Sequence, residues 1–474
     1  MGDGSGQAWG GRLGLPAVRG RGSLVAAMAV DSIGTGLFLP FAVLYFLHTT
    51  ALPLTLIGGG LTAAYLVALP TPVAVGPLLD RFGPRRVIAA GNLLSVLAFT
   101  GYIFVGSLWQ LILAALVASV GQATFWTATR ALVALIARPA ERGSWFAMQT
   151  TIRNAGYGLG GILGAVAVSA GSRWAYLLLA AVNAASFLLA AALVLRWRPP
   201  AEGDPRTDRH DTPPSYQGTA GGTYRHLLRD RALVLVAGVN VAFVLCLSVL
   251  TVLLAVYITR VLGLPAWLAG ALFTVNTVLV VIMQTATTRR VRGYRPERVL
   301  QAAAGCYAAA FLLFWALTIT PHRLLVAVLL AAIVAFTVAE VLQGPTINAL
   351  VVDIAPANAS GRHMAAFQLS WSLSQAAAPL LLTWLLSRGP QWPWIALMAA
   401  CALAITAAQR SARTRPRRLV EARRTADGVS VPSPQPLGQS PASWSSPWRR
   451  PLRPPQGLPQ AVGSRKETPA SDTH

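Results

Sequence analysis

The chain has 474 residues, 54% of them hydrophobic and only 12% charged, with a mean hydropathy of +0.54. Soluble domains carry about 25% charged residues, so this composition excludes a soluble globular protein and points to an integral membrane protein. The net charge of +23 does not make a nucleic-acid surface either, because the basic residues fall in the gaps between apolar runs and not on one water-soluble patch.

Residues 1–23 form a Gly-rich N-terminal segment with few charges, and the apolar run behind it is too long and too cleanly continued for a cleaved signal peptide. Twelve apolar stretches follow, at 24–47, 56–79, 87–105, 108–126, 146–170, 174–195, 233–258, 267–283, 299–318, 324–351, 365–386 and 394–408. Most are long enough as helices to cross a hydrocarbon core roughly 30 Å thick. The sequence therefore predicts an all-α membrane protein with a first six-helix half over 24–195 and a second over 233–408. The longest internal polar segment, 196–232, carries Pro199-Pro200, Pro213-Pro214 and mixed charge, and reads as a flexible linker. The segment 409–474 is rich in Pro, Ser and Arg, and reads as a disordered basic tail whose 413–424 portion suits anionic head groups.

Between the second and third stretches lies Gly76-Pro77-Leu78-Leu79-Asp80-Arg81-Phe82-Gly83-Pro84-Arg85-Arg86. Gly76 lets a helix end approach its neighbour, Gly83 suits the positive φ of a tight reversal, and Asp80 can pair with cations or a helix N-terminus at the water interface. This string resembles the signature between the second and third helices of the major facilitator superfamily. The resemblance implies the twelve-helix fold of that family, with Gly76, Asp80, Arg81, Gly83, Arg85 and Arg86 as a latch between its halves. Pro84 departs from the pattern, standing where a basic residue is common, but the positive charge is kept one residue later.

Arginine clusters follow the even-numbered stretches (Arg81, Arg85, Arg86; Arg138, Arg142; Arg289, Arg290, Arg292, Arg295, Arg298), whereas odd-numbered ones are followed by at most one. By the positive-inside rule both termini and the linker are cytoplasmic, in a multi-pass protein of the cell membrane. The halves also resemble each other: Ala131-Leu132-Val133 with Arg142 and Gln149 has a counterpart in Ala349-Leu350-Val351 with Arg362 and Gln368. Such self-similarity indicates two duplicated six-helix halves around one pathway.

Few residues inside the stretches could carry chemistry. Asp31 and Glu340 are the acids well inside, and a carboxylate at helix centre costs about 2.5 to 3.5 kcal/mol on insertion scales, so it faces a cavity and has a task. A carboxyl group in a partly dry cavity can load and release a proton as its water access changes. Arg153, in the fifth stretch, is an interior base able to pair with an acid, so Asp31, Glu340 and Arg153 are the candidates for proton coupling. Tyr45, Gln122, Trp126, Asn240, Asn276, Gln343 and Trp371 are candidates for the substrate pathway. Gly156, Gly160 and Gly164 recur every four residues and make a smooth stripe for close helix crossing.

That stripe resembles the glycine-rich fifth helix of exporters in the superfamily, though the glycine-proline pair common in antiporters is missing. Glu340-x-x-Gln343-Gly344-Pro345 with Asp353, Pro356, Gly361 and Arg362 resembles the tenth-helix region of multidrug-type members. The arginine that many proton-driven relatives carry in the fourth helix is absent here. Together the resemblances imply a monomeric secondary active transporter that exports small amphipathic compounds in exchange for protons. The alternative is uptake of a specific nutrient by the same fold. No metal constellation, nucleophile-base pair or phosphate loop supports an enzyme, and no cofactor is expected; Cys246, Cys306 and Cys401 read as small core residues.

Overall fold

The computed structural model describes residues 21–136, 142–197, 230–291, 294–354 and 360–414. The tail from 415 onward and most of the 196–232 linker, with Arg138 and Arg292, lie outside these. The first pass across the bundle is α1 (Gly22–Phe38), a 3-10 turn (Leu39–Phe41) and α2 (Ala42–Thr49). Next come α3 (Leu54–Ala68), α4 (Thr71–Ile103), α5 (Leu108–Ile136), α6 (Arg142–Ser169) and α7 (Arg173–Arg196). The second half opens with α8 (Arg231–Leu247), continued through π-turns at Val249–Leu253 and Tyr257–Val261 around the short α9 (Leu254–Val256). It goes on with α10 (Trp267–Val291), α11 (Pro296–Ala316), α12 (Leu325–Ile354), α13 (Ser360–Arg388) and α14 (Trp392–Thr414).

Among the described residues, ten of the passes are long and apolar enough to span a membrane by length and composition. The other two have specific reasons to fall short. The second stretch, which reads as one run over 56–79, is broken at Leu69–Pro70, where proline has no N–H to give and clashes with the preceding turn, so the pass is α3 plus the start of α4. The fifth, α6, carries Arg153, Asn154 and Gln149 on one helix. Within α4 the chain reverses at Gly83, whose φ of 74° lies in the left-handed region that glycine enters without a Cβ clash. The seventh pass also departs from a plain helix. Ser248 stands where its ladder widens into a π-turn, with its hydroxyl 2.8 Å from the Val244 carbonyl and 2.9 Å from Gln375 Oε1.

The two halves are built on the same contact plan. In the first half α1 packs on α6 and α7, α4 packs on α5 and α7, and α3 packs on α5. In the second, α8 packs on α13 and α14, α11 on α12 and α14, and α10 on α12. Each half has an aromatic centre: Phe38, Tyr45, Phe46, Phe99 and Tyr102 in one, and Tyr307, Phe311, Phe314, Phe336 and Trp394 in the other.

An even number of passes returns the chain to its starting side, so Gly22 and Thr414 share one terminal face. On that face arginines stitch the first half together. Arg21 donates to the Ile136 carbonyl at 2.7 Å and lies 5.2 Å over the Trp145 ring, and Arg85 donates to the Leu195 carbonyl. Both cations thus occupy helix C-termini, where the open carbonyls and the macrodipole favour positive charge.

The halves meet through α3 on α13 and α6 on α10, with smaller contacts between the 3-10 turn of the first pass and the π-turn of the seventh. These contacts lie toward the face opposite the termini, since α3 and α10 both begin there. Thr62 Oγ1 accepts from the Leu380 N–H at 3.1 Å, and Thr274 Oγ1 donates to the Gly158 carbonyl at 3.0 Å. Val73, eleven residues after Thr62 and past the break at Pro70, is 82% exposed, and Leu369, eleven residues before Leu380 on α13, is 59% exposed. The halves are joined along the α3–α13 and α6–α10 seams.

Candidate functional site

α1 and α6 cross closely enough to bring their polar residues into the interior of the first half. Gly156, Gly160 and Gly164 line the contact: a Cβ at Gly160 would lie 2.6 Å from Leu37 N and 2.8 Å from Gly36 C, and one at Gly164 would lie 2.9 Å from the Phe41 ring. Only hydrogen at those positions allows the two backbones to come together.

Beside this crossing is a polar recess lined by Asp31, Thr35, Asn92, Ser95, Gln122, Phe125, Trp126, Tyr157 and Phe187. Its volume of about 10 Å³ is at the threshold for one water and far below that of an organic ligand. Asp31 is buried and, among the described residues, has neither a hydrogen bond nor an ion pair. Asn92 is 1% exposed, and neither its Oδ1 nor its Nδ2 has a partner. The Ser95 hydroxyl donates to the Gly91 carbonyl at 3.2 Å.

The second acid sits in the other half in a different setting. Glu340 Oε2 accepts from Asn276 Nδ2 at 2.9 Å, and the same amide nitrogen is 3.0 Å from Thr337 Oγ1. Gln343, one turn on, is buried. Arg153, on α6 of the first half, reaches toward the second acid. Its guanidinium is 5.4 Å from the Trp126 ring centre in the first half, and its charge acts on both Tyr157 and Glu340. A cation of one half is thereby electrostatically linked to a carboxylate of the other.

The remaining sequence candidates divide. Gln122 and Trp126 line the recess, and Gln122 is exposed at it. Asn240 ties the seventh pass to the eleventh, donating from Nδ2 to Ser370 Oγ at 2.9 Å, while its Oδ1 has no partner. Tyr45 is fully buried in the aromatic centre, and Trp371 is half-buried on α13. Of the latch residues, Gly83 makes the reversal and Arg85 caps α7 in its own half. Asp80 and Arg81 are exposed, Arg81 lying 5.1 Å over the Phe82 ring, and Asp80 has no partner among the described residues. Cys246 and Cys401 are buried with their sulfurs 3.8 Å apart, and Cys306 is half-buried. Among the described residues no three His, Cys, Asp or Glu side chains gather as a metal site.

Among the recess residues that the sequence reading passed over are Thr35, Asn92 and Ser95. Their signal is spacing: Thr35 is four residues after Asp31 and Ser95 three after Asn92, so each pair shares a helix face inside an apolar run.

Two six-helix halves with matching contact plans are the duplicated architecture of a membrane transporter fold. Residues 24–379 match the Major Facilitator Superfamily, and the chain belongs to that family. The MFS-type transporter YdeE of Escherichia coli K12 is 24% identical over 376 residues, covering 77% of this chain and 88% of the relative. The multidrug resistance protein MdtH of Klebsiella pneumoniae is 24% identical over 354 residues, covering 73% and 82%. Among solved structures, the nucleoside transporter NupG superposes with a TM-score of 0.63 at 11% identity, over 83% of this chain and 99% of that one. An auto-inhibited POT family peptide transporter gives 0.61 at 15%, over 84% and 97%. These structural likenesses speak for the fold alone.

Proposed function

We propose that the chain is a proton-driven exporter of small amphipathic organic compounds, working by alternating access in the cell membrane as a monomer. The observation that carries this reading is the pair of interior carboxyl groups, one in each half, with Arg153 of the first half acting on Glu340 of the second. Glu340 is held by Asn276 and feels the Arg153 charge of the opposite half, so loading a proton on Glu340 weakens an attraction that depends on how the halves sit. Asp31 is the second proton-carrying group. The arginine clusters put the terminal face, the linker and both chain ends in the cytoplasm. The 24–195 and 233–408 segments are the moving halves, and the Gly76 to Arg86 turn engages the other half when the cytoplasmic side closes. The multidrug name of the MdtH relative supports export, and the scarcity of charged side chains along the pathway favours amphipathic cargo over a polar nutrient.

Proteoliposomes with an imposed pH gradient test the reading, using a panel of lipophilic cations and neutral antibiotics. A transported compound should dissipate the gradient through the wild-type protein, and at least about tenfold more slowly through Glu340→Gln or Asp31→Asn, in line with loss of a proton-transfer group. Equal dissipation in both variants would show the carboxylates to be structural and the proton coupling wrong.

A further inference from the structure

We infer that the recess in the first half binds a monovalent inorganic cation of sodium size, held by the Asp31 carboxylate and the neutral side-chain oxygens of Thr35, Asn92, Ser95 and Gln122. The inference deepens the proposed coupling at Asp31, on which it rests, by naming a second ion for the same carboxylate.

Hard cations select oxygen ligands, and this recess brings six oxygen-bearing side chains from four helices to one place. Asp31 and Thr35 come from α1, Asn92 and Ser95 from α4, Gln122 from α5 and the Tyr157 phenol from α6. The Ser95 hydroxyl proton is directed to the Gly91 carbonyl, which leaves the oxygen lone pairs for a cation. Asn92 is the independent observation. It is 1% exposed with both amide atoms unpartnered, and a buried amide is kept in that condition only at a cost. A cation at its Oδ1 gives the oxygen the partner it lacks.

Charge and size narrow the ion. The recess has a single carboxylate, which balances one positive charge, whereas calcium and magnesium sites ordinarily gather more. No basic side chain pairs with Asp31 among the described residues; Arg153 is stacked on Trp126 and acts on Tyr157 and Glu340. A volume of about 10 Å³ excludes organic ammonium ions. The contrast with the second half is in donor type. Glu340 is met by the N–H of Asn276, whereas Asp31 has no such donor bond among the described residues and is left to an ion.

The test is equilibrium binding of ²²Na⁺ to the full-length protein in lipid nanodiscs at fixed pH, with ionic strength held by choline chloride. A single saturable component, displaced by unlabelled NaCl and not by choline, is expected for the wild type and for Glu340→Gln. It should disappear in Asp31→Asn and weaken about tenfold or more in the isosteric Thr35→Val and in Asn92→Leu, with folding of each variant checked by its melting temperature. Should Asn92→Leu fail to fold, Thr35→Val decides the point. Absence of saturable binding in the wild type, or full binding in a folded Asp31→Asn, overturns the inference. The outcome is separable from the proton reading. Gradient dissipation that depends on Asp31 without sodium binding leaves proton coupling standing and removes the sodium site, and sodium binding without gradient dissipation does the reverse.

Discussion

Gly160→Ala should destabilise the first half, and the amount follows from what the new methyl meets. Its Cβ would fall 2.6 Å from Leu37 N and 2.8 Å from Gly36 C, and both contacts are backbone, so no side-chain rotation relieves them. α1 and α6 must separate along their whole crossing, where Gly156 and Gly164 are also tight. Overpacking of this kind costs about 1–3 kcal/mol. Alanine also gains about 1 kcal/mol in helix propensity over glycine, so the single variant alone would understate the clash. Gly238→Ala supplies the correction, because it sits in a helix with no atom within 4 Å of the new Cβ and shares only the propensity gain. The difference between the two variants isolates the packing term. Thermal or denaturant unfolding in one detergent is the assay, with Gly160→Ala expected below Gly238→Ala by about 1–3 kcal/mol. Equal stability for the two would refute the claim that the glycine stripe permits the helix crossing.

Two further outcomes follow from how the halves meet and how the first is capped. In a background with Cys246, Cys306 and Cys401 replaced by serine, a Thr62→Cys/Leu380→Cys pair should cross-link readily on oxidation and stop transport, since these positions are already in contact. A Val73→Cys/Leu369→Cys pair, on faces now exposed, should cross-link only under conditions that close the terminal face; electrophoretic mobility reads both, and simultaneous full cross-linking of the two pairs would rule out alternation. Arg85→Ala should cost about 0.3–1 kcal/mol by removing the cation from the C-terminus of α7, with Arg85→Lys restoring part of it in the same unfolding measurement.

What the sequence determined by itself was the membrane class, the all-helical succession of apolar stretches, the reversal at Gly83 and the presence of one interior acid in each half. These are legible because solvation by lipid acts residue by residue along the chain, so apolar length and the cost of an interior charge can be read without knowing any neighbour. The break at Pro70 could have been read from the residue itself, but the hydropathy of the 56–79 run concealed it. What only the tertiary structure decided was which helix faces meet. It set Asn92 and Ser95 beside Asp31, placed Arg153 within electrostatic reach of Glu340, assigned Arg85 to the end of α7 in its own half, and joined the halves at the end opposite the termini. In lipid the helices are equally apolar on most faces, so rotation and crossing are set by close packing and a few polar contacts between residues far apart in sequence. Asn276, 64 residues before the glutamate it contacts, is of that kind: its place on a span is local information, and its partner is not.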